Sequence, residues 1–317
     1  MSVPTVLVTG CAGYIGSMLV GALLRSHCRV IGVDSLIYDN AASLLNYFGD
    51  PNFEFVREDV QHTLAIQKLA SKADIIIPLA ALVGAPLCEK LPHTAVEVNS
   101  HAIKELMKGL SKDQRVIFTN TNSGYGETDG TRFCTEEDKI NPISVYGVTK
   151  CFGEAHILSH PNSVSLRLAT VFGASPRMRM DLMVNDFTAK LYRDRKIEVF
   201  DPDFKRNFVH VRDVVSAIQF MITRYYQTGI FNLGLPSANL TKMELALTIA
   251  DFLKVPYCNV TIGTGSDPDR RNYLVSNKKI LSSGFKFSHS LEDGIREVSL
   301  VCQTHSSSQL AEMRNVK

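Results

Sequence analysis

Residues 5–34 restrict the fold more than any other stretch. Thr5, Val6, Leu7, Val8 and Thr9 read as a buried strand. The turn Gly10-Cys11-Ala12-Gly13-Tyr14-Ile15-Gly16 follows at once, and residues 17–26 continue as a helix with apolar Leu19, Val20, Leu23 and Leu24. A second strand, residues 29–33, ends in Asp34. A pyrophosphate needs close approach of backbone N–H groups, which glycine permits, and it gains from the positive end of a helix. An acid at the second strand's end can accept both ribose hydroxyls of an adenosine, and its charge would repel a 2′-phosphate. The stretch therefore predicts a dinucleotide site that favours NAD over NADP. Spaced glycines alone are a weak signal, and the flanking strand, helix and acid supply the context.

Further strands follow at residues 53–56, 74–81, 114–118 and 164–168. Continuous apolar runs such as Ile75-Ile76-Ile77 mark strands covered on both faces. Helices are expected over 64–70 and 92–110, and in the stretch that begins after Ser144. The fold class is α/β, a Rossmann-type doubly wound parallel sheet with a smaller, interleaved C-terminal substrate domain. Residues 1–173 form the cofactor domain, rejoined by about 208–233. Residues 174–207 and 234–302 form the substrate domain, and 303–317 a frayed polar tail.

At 317 residues the chain is long enough for two lobes. Formal net charge is +2 with no basic run, which argues against nucleic acid as a partner. No apolar stretch reaches membrane-spanning length. The seven cysteines show neither a CxxC pair nor metal spacing, and no secretory leader precedes the first strand. Reduced thiols, a cytoplasmic location and no metal site are the expectations.

Open parallel sheets place chemistry beyond the carboxyl ends of their strands. The strand at 114–118 runs into Thr119-Asn120-Thr121-Asn122-Ser123-Gly124-Tyr125-Gly126, a hydroxyl-rich loop. Tyr146 and Lys150 lie one helical turn apart and share a face. An ammonium beside a phenol favours the phenolate and lowers its pKa toward neutrality. Such a phenol can take a proton from an alcohol while hydride leaves the same carbon, and Thr121 can hold the same oxygen. Lys150 can also bind the nicotinamide ribose. Asp59-Val60 are placed to meet the adenine. The small residues of Leu79-Ala80-Ala81 let the cofactor lie close, and Asn99 is expected to hydrogen-bond into the cofactor pocket. A packed, hydrogen-bonded histidine is expected at His210.

Over roughly residues 4–300 the chain resembles the extended short-chain dehydrogenase/reductases of the nucleotide-sugar epimerase and dehydratase family. The motifs carrying the likeness are Gly10, Gly13 and Gly16, Asp34, Asp59-Val60, Leu79-Ala80-Ala81, Asn99, and Thr121, Tyr146 and Lys150. The resemblance implies that Tyr146 is the general base, assisted by Thr121, and that a tightly held NAD oxidises a sugar carbon, usually C4. Tyr14, Ile15 and Thr119 join the implied cofactor set. Family dehydratases carry an Asp-Glu pair where this chain has Asn122 and Ser123, and 3,5-epimerases a cysteine at Ser123, so neither activity is implied. Decarboxylation calls for a site glutamate with no counterpart found in this chain, so two fates remain for the ketone, namely release after oxidation or re-reduction on the other face, which is 4-epimerisation. A reductase or dehydratase on the same fold, or a non-catalytic sensor, are the competing classes.

A narrower likeness covers residues 80–86 with Val83, residues 119–126, and residues 167–188 with Arg177-Met178-Arg179. It resembles bacterial GDP-heptose 4-dehydrogenases of capsule-sugar biosynthesis. That implies C4 oxidation of a GDP-heptose or related hexose, with bound NADH reoxidised by a keto acid such as 2-oxoglutarate. Arg206, and Arg270 with Arg271, match family contacts to the substrate's own diphosphate. Arg177 and Arg179 would suit a sugar phosphate or a carboxylate-bearing co-substrate. Thr170 replaces an asparagine that relatives use for substrate. Family members pair as homodimers through the helices around Asn99 and Tyr146, with Val145, Val148, Phe152 and Ala155 on one and Val96, Ile103, Leu106 and Met107 on the other as the apolar residues available.

Overall fold

β-branched and aliphatic runs separated by amphipathic helices build a parallel sheet with helices on its faces. In the computed structural model, residues 3–223, 227–264 and 271–315 are described. In chain order the first half comprises β1 (Thr5–Thr9), α1 (Gly16–Arg25), β2 (Arg29–Asp34), β3 (Phe53–Arg57), α2 (Thr63–Ala70), β4 (Ile75–Pro78), α3 (Ala85–Lys90), α4 (Pro92–Val96), α5 (Ala102–Lys108), β5 (Arg115–Thr121), β6 (Phe133–Cys134) and α6 (Val145–Leu158). The second half adds β7 (Ser163–Leu168), β8 (Thr170–Phe172), α7 (Met183–Arg193), β9 (Ile197–Val199), β10 (Lys205–His210), α8 (Val211–Thr223), β11 (Gly229–Leu233), β12 (Asn239–Thr241), α9 (Lys242–Phe252), β13 (Val260–Ile262), β14 (Leu274–Val275), α10 (Lys278–Ser282), α11 (Leu291–Thr304) and α12 (Ser307–Glu312).

Seven strands form one parallel sheet in the order β11-β7-β5-β4-β1-β2-β3. The order reverses between β1 and β4, which opens a crevice at their carboxyl ends beside the glycine turn. This is the doubly wound Rossmann-type sheet that the sequence pattern predicts. Val6, Val8, Ile77, Ile117 and Leu166 bury one face against α1 and α8 residues such as Leu19, Leu23, Val214 and Ile218. Leu7, Ile31, Val33 and Ile76 bury the other against Ile66, Leu69 and Leu106.

A second core gathers Phe172, Val184, Leu191, Phe208, Leu245, Ile249 and Ile295. It lies around a three-stranded sheet in which β10 pairs in parallel with β8 and antiparallel with β12. The return from about residue 208 is therefore later than expected. β10 belongs to the small sheet, and the chain rejoins the large one through α8 and β11.

The frayed tail is corrected. α11 runs to Thr304, and a capping box of Ser306 and Gln309 starts α12. Leu310 then buries against Met178, Met180, Val298 and Cys302. Met180 N–H donates to the Met313 carbonyl at 2.9 Å, and Arg314 pairs with Asp186 at 2.6 Å. Two apolar side chains, Leu310 and Met313, with a cap and these two bonds dock a segment that composition marks as polar. Among the described residues, no helix is long and apolar enough to cross a membrane.

Candidate active site

The glycine turn leaves β1 through Gly10, whose φ of +72° lies in the left-handed region. A Cβ there would stand 2.7 Å from the Ala80 nitrogen. Glycine is therefore required both for conformation and for approach to the β4 exit. Gly13 N–H donates to the Gly10 carbonyl at 3.1 Å, and Gly16 opens α1. The Asp34 carboxylate closes β2 and accepts the N–H groups of Ala12 (3.0 Å) and Leu36 (2.9 Å). Burial raises its pKa, opposed by those two N–H groups and by the Arg177 charge. Turn, helix start and acid thus meet at the sheet's crevice, and they form the cradle a dinucleotide needs.

Leu79, Ala80 and Ala81 carry the chain out of β4, half-buried, with Ala80 N–H on the Thr9 hydroxyl at 3.3 Å. Asp59 bonds locally to Gln61, and Val60 packs on the Leu7, Ile31 and Val33 cluster. Thr119 is buried in β5 beside Leu166. Asn99 departs from expectation. The long helix over 92–110 is interrupted by a π-helical turn, Glu97–His101, that contains it. Its amide accepts from Leu82 N–H (2.8 Å) and donates to the Leu82 carbonyl (3.0 Å) and the Thr149 hydroxyl (3.1 Å). These protein contacts clamp the β4 exit to α6, so Asn99 positions the pocket wall. π-turns of this kind cluster at functional sites.

α6 starts cleanly because Ser144 caps it, accepting Gly147 N–H at 3.1 Å. The cap sets Tyr146 and Lys150 on the face toward β5. Gly153, one turn on, lies against Asn99, and a Cβ there would stand 2.5 Å from the Asn99 carbonyl oxygen. The structure brings Thr121, Tyr146 and Lys150 together. The Thr121 hydroxyl lies 2.8 Å from the Ser123 hydroxyl and is near enough to Tyr146 to favour its ionised form. Lys150 Nζ sits 4.1 Å from the centroid of the Phe118 ring.

Proton affinities in this cluster differ from the sequence expectation. Burial pushes the Tyr146 phenol up to about 12, against the pull of Arg271, Arg179 and the Thr121 hydroxyl. Burial also pulls Lys150 down to about 7, opposed by the Glu154 carboxylate. Desolvation disfavours both charged forms, and here it outweighs the pull of the neighbouring charges. The phenol is therefore poised as a proton donor, and ionising it calls for more positive charge nearby.

Ser123 accepts a hydrogen bond from the Arg271 guanidinium. Arg271 is thus at the hydroxyl cluster. Arg270 lies outside the described residues. Arg206 is 1% exposed, donates to its neighbour Lys205's carbonyl at 2.9 Å, and lies over the Tyr273 ring at 5.7 Å. That side chain is held in the protein interior. Arg179 is committed to Asp181 through two bonds of 2.8 and 2.7 Å. Arg177 lies over the Tyr38 ring, 5.0 Å from its centroid. Asn122 is also corrected as a substrate contact. Its buried amide, oriented to satisfy both atoms, donates to the Arg167 carbonyl (3.0 Å) and accepts Ala169 N–H (3.3 Å). Thr170 opens β8, half-buried opposite Phe208, and Val83 is half-buried before α3.

His210 is fully buried, with Nε2 3.1 Å from a Glu297 carboxylate oxygen and its ring stacked on His289. Three residues escaped sequence reasoning. Cys88 is buried and donates to the Leu82 carbonyl at 3.3 Å, and burial pushes its thiol up to about 12, so it stays neutral. Asn185 accepts Gly173 N–H (3.1 Å) and donates to the Arg179 carbonyl (2.9 Å). Phe118, read only as a strand residue, floors Lys150. None belongs to a spaced motif, so periodicity gave no signal for them.

The NAD dependent epimerase/dehydratase family model matches residues 6–234. Protein CapI of Staphylococcus aureus is 30% identical over 234 residues, 69% of this chain and 69% of CapI. YtcB of Bacillus subtilis (strain 168), described as an uncharacterized UDP-glucose epimerase, is 30% identical over 239 residues, 71% of this chain and 74% of YtcB. Among solved structures, MoeE5 in complex with UDP-glucose and NAD is 26% identical, with a TM-score of 0.80 over 95% of this chain and 100% of that one. The dTDP-glucose 4,6-dehydratase of Bacillus anthracis shares the fold at 20% identity, with a TM-score of 0.83 over 97% and 99% of the two chains. With a family match that begins in the first strand of the large sheet and ends just past the last, the chain belongs to the NAD dependent epimerase/dehydratase family and is an enzyme that works with NAD.

Proposed function

We propose that the enzyme oxidises C4 of a nucleotide-linked sugar, with Tyr146 as the acid–base group. The observation that carries this reading is the cluster of buried Thr121 and Lys150 with half-buried Tyr146 at the carboxyl end of β5, beside the Gly10 and Asp34 cradle. NAD, when bound, supplies the hydride acceptor. Thr121 and Tyr146 hold the sugar hydroxyl between them. Tyr146 takes its proton as hydride leaves the same carbon, so the alcohol becomes a ketone and the phenolate a phenol. Lys150 and Arg271 supply the positive charge that lets the phenol ionise despite its burial. Gly10, Gly13 and Gly16 with Tyr14 and Ile15 take the pyrophosphate, Asp34 the adenosine ribose, and Asp59 and Val60 the adenine side. We assign the sugar nucleotide to the second lobe, residues 174–207 and 234–302.

Relatives support a nucleotide sugar. MoeE5 is seen with UDP-glucose and with UDP-glucuronic acid. Other relatives bear the name UDP-glucuronic acid decarboxylase, at 28% identity over 92% of this chain and 66% of its match. The finer reading is a GDP-heptose or related hexose, with release of the 4-keto sugar and reoxidation of NADH by a keto acid such as 2-oxoglutarate. It rests on the resemblance of residues 80–86, 119–126 and 167–188. The second reading is 4-epimerisation, favoured by the name of YtcB. A homodimer through α4, α5 and α6 fits both, since Val96 and Phe152 are exposed on these helices.

Mass spectrometry of sugar nucleotides incubated with the enzyme, with and without 2-oxoglutarate, tests the reading. Loss of two hydrogens, dependent on the keto acid, is the expected result. An unchanged mass with inverted C4 stereochemistry establishes epimerisation instead. No change with any UDP-, GDP- or dTDP-linked sugar overturns both.

A further inference from the structure

The segment after β8 is stitched to the glycine turn. Tyr14 Oη donates to the Gly173 carbonyl at 2.6 Å, and the Ser175 hydroxyl donates to the Tyr14 carbonyl at 2.7 Å. Ser17 and Ser175 hydroxyls lie 3.3 Å apart. Two residues further on, the Arg177 guanidinium stacks over the Tyr38 ring, 5.0 Å from its centroid, and donates to the Met178 carbonyl at 2.7 Å. Tyr38 lies four residues past Asp34 on the loop leaving β2. The Arg177 and Asp34 charges are near enough to act on each other's proton equilibria. Arg179, by contrast, is occupied by Asp181.

We propose that Arg177 is a cofactor-holding residue, which reaches from the segment linking the two lobes over Tyr38 to the adenosine half of NAD. Its flat guanidinium is pinned by the ring and by one carbonyl, which leaves donors for anionic or ribose oxygens beside Asp34. The lobe that receives the sugar thereby also secures the cofactor. The same placement has a consequence for selectivity. Asp34 repels a 2′-phosphate, and Arg177 would attract one as soon as the Asp34 charge is removed. This inference rests on the reading of Asp34 as the ribose acid.

The test uses wild type, Arg177→Met, Arg177→Lys, Asp34→Asn and the Asp34→Asn/Arg177→Met double variant, each checked for an unaltered melting temperature. NAD retained after gel filtration, NAD and NADP affinities, and UDP-glucose and GDP affinities are measured. Arg177→Met is expected to weaken NAD binding about tenfold, as for loss of one charge-assisted bond, with nucleotide affinity unchanged. Arg177→Lys is expected to fall between. Asp34→Asn is expected to gain NADP affinity, and the double variant to lose that gain. Normal NAD retention by Arg177→Met, with weakened UDP-glucose or GDP binding, overturns the assignment and returns Arg177 to the sugar. An Asp34→Asn protein with unaltered NAD preference overturns the Asp34 reading and this one with it. A shifted preference that Arg177→Met leaves untouched overturns this one alone.

Discussion

Arg271 donates a hydrogen bond to the Ser123 hydroxyl, and Ser123 in turn lies 2.8 Å from the Thr121 hydroxyl. A cation from the C-terminal part of the chain thus adjoins the hydroxyl pair beside Tyr146, and its charge is the largest pull against the burial of that phenol. Diphosphate binding, the role implied by resemblance, does not by itself require this contact.

Arg271→Met is expected to lower the oxidation rate about tenfold, and to move the rising limb of its pH profile to higher pH. Arg271→Lys should restore part of the limb's position. A pH profile of single-turnover oxidation checks this. An unshifted limb with a raised KM would make Arg271 a binding residue only.

Lys150 carries a pH signature in the cofactor-free protein. Its pKa falls from 10.5 to about 7 on folding, so between those values the unfolded chain binds the proton and the folded chain does not. Stability contributed at this position therefore rises with pH across that window, and the penalty of the buried ammonium is present in full below it. Lys150→Met should stabilise the cofactor-free enzyme relative to wild type on the order of a few kcal/mol more at pH 6 than near pH 10. Denaturant unfolding at the two pH values measures the difference.

Gly153→Ala places a methyl against the Asn99 carbonyl, where 2.5 Å is available. α6 must then shift from the π-turn, at a cost of about 1–3 kcal/mol, and Tyr146 and Lys150 move with it. Loss of stability with a lowered kcat is expected, read by urea unfolding and steady-state kinetics.

Arg206→Ala acts on the fold first. The side chain is buried and lies over Tyr273, so truncation should destabilise the protein by about 1–3 kcal/mol in addition to any effect on substrate. Thermal unfolding of the variant, beside its UDP-glucose affinity, separates the two.

Local patterns made the parallel-sheet strands, the glycine turn and the shared face of Tyr146 and Lys150 legible in the sequence. Each depends on residues within one or two elements. The contacts of Asn99, Asn122 and Arg177 with Leu82, Arg167 and Tyr38 were not legible, because tertiary packing sets them. The π-turn at Asn99 leaves no periodic trace, since its apolar neighbours still fit a helix. The direction of the Tyr146 shift follows from burial, which spacing does not report. Leu310 and Met313, in a short polar segment, gave no sign that they dock.

Single-turnover mixing of NAD-loaded enzyme with its nucleotide sugar, followed by NADH absorbance, tests the account most directly. Wild type should form bound NADH in one rapid phase. Tyr146→Phe should retain NAD while the phase slows by about 10²–10⁴-fold. NADH formation at the wild-type rate in Tyr146→Phe would contradict the assignment of that phenol as the base.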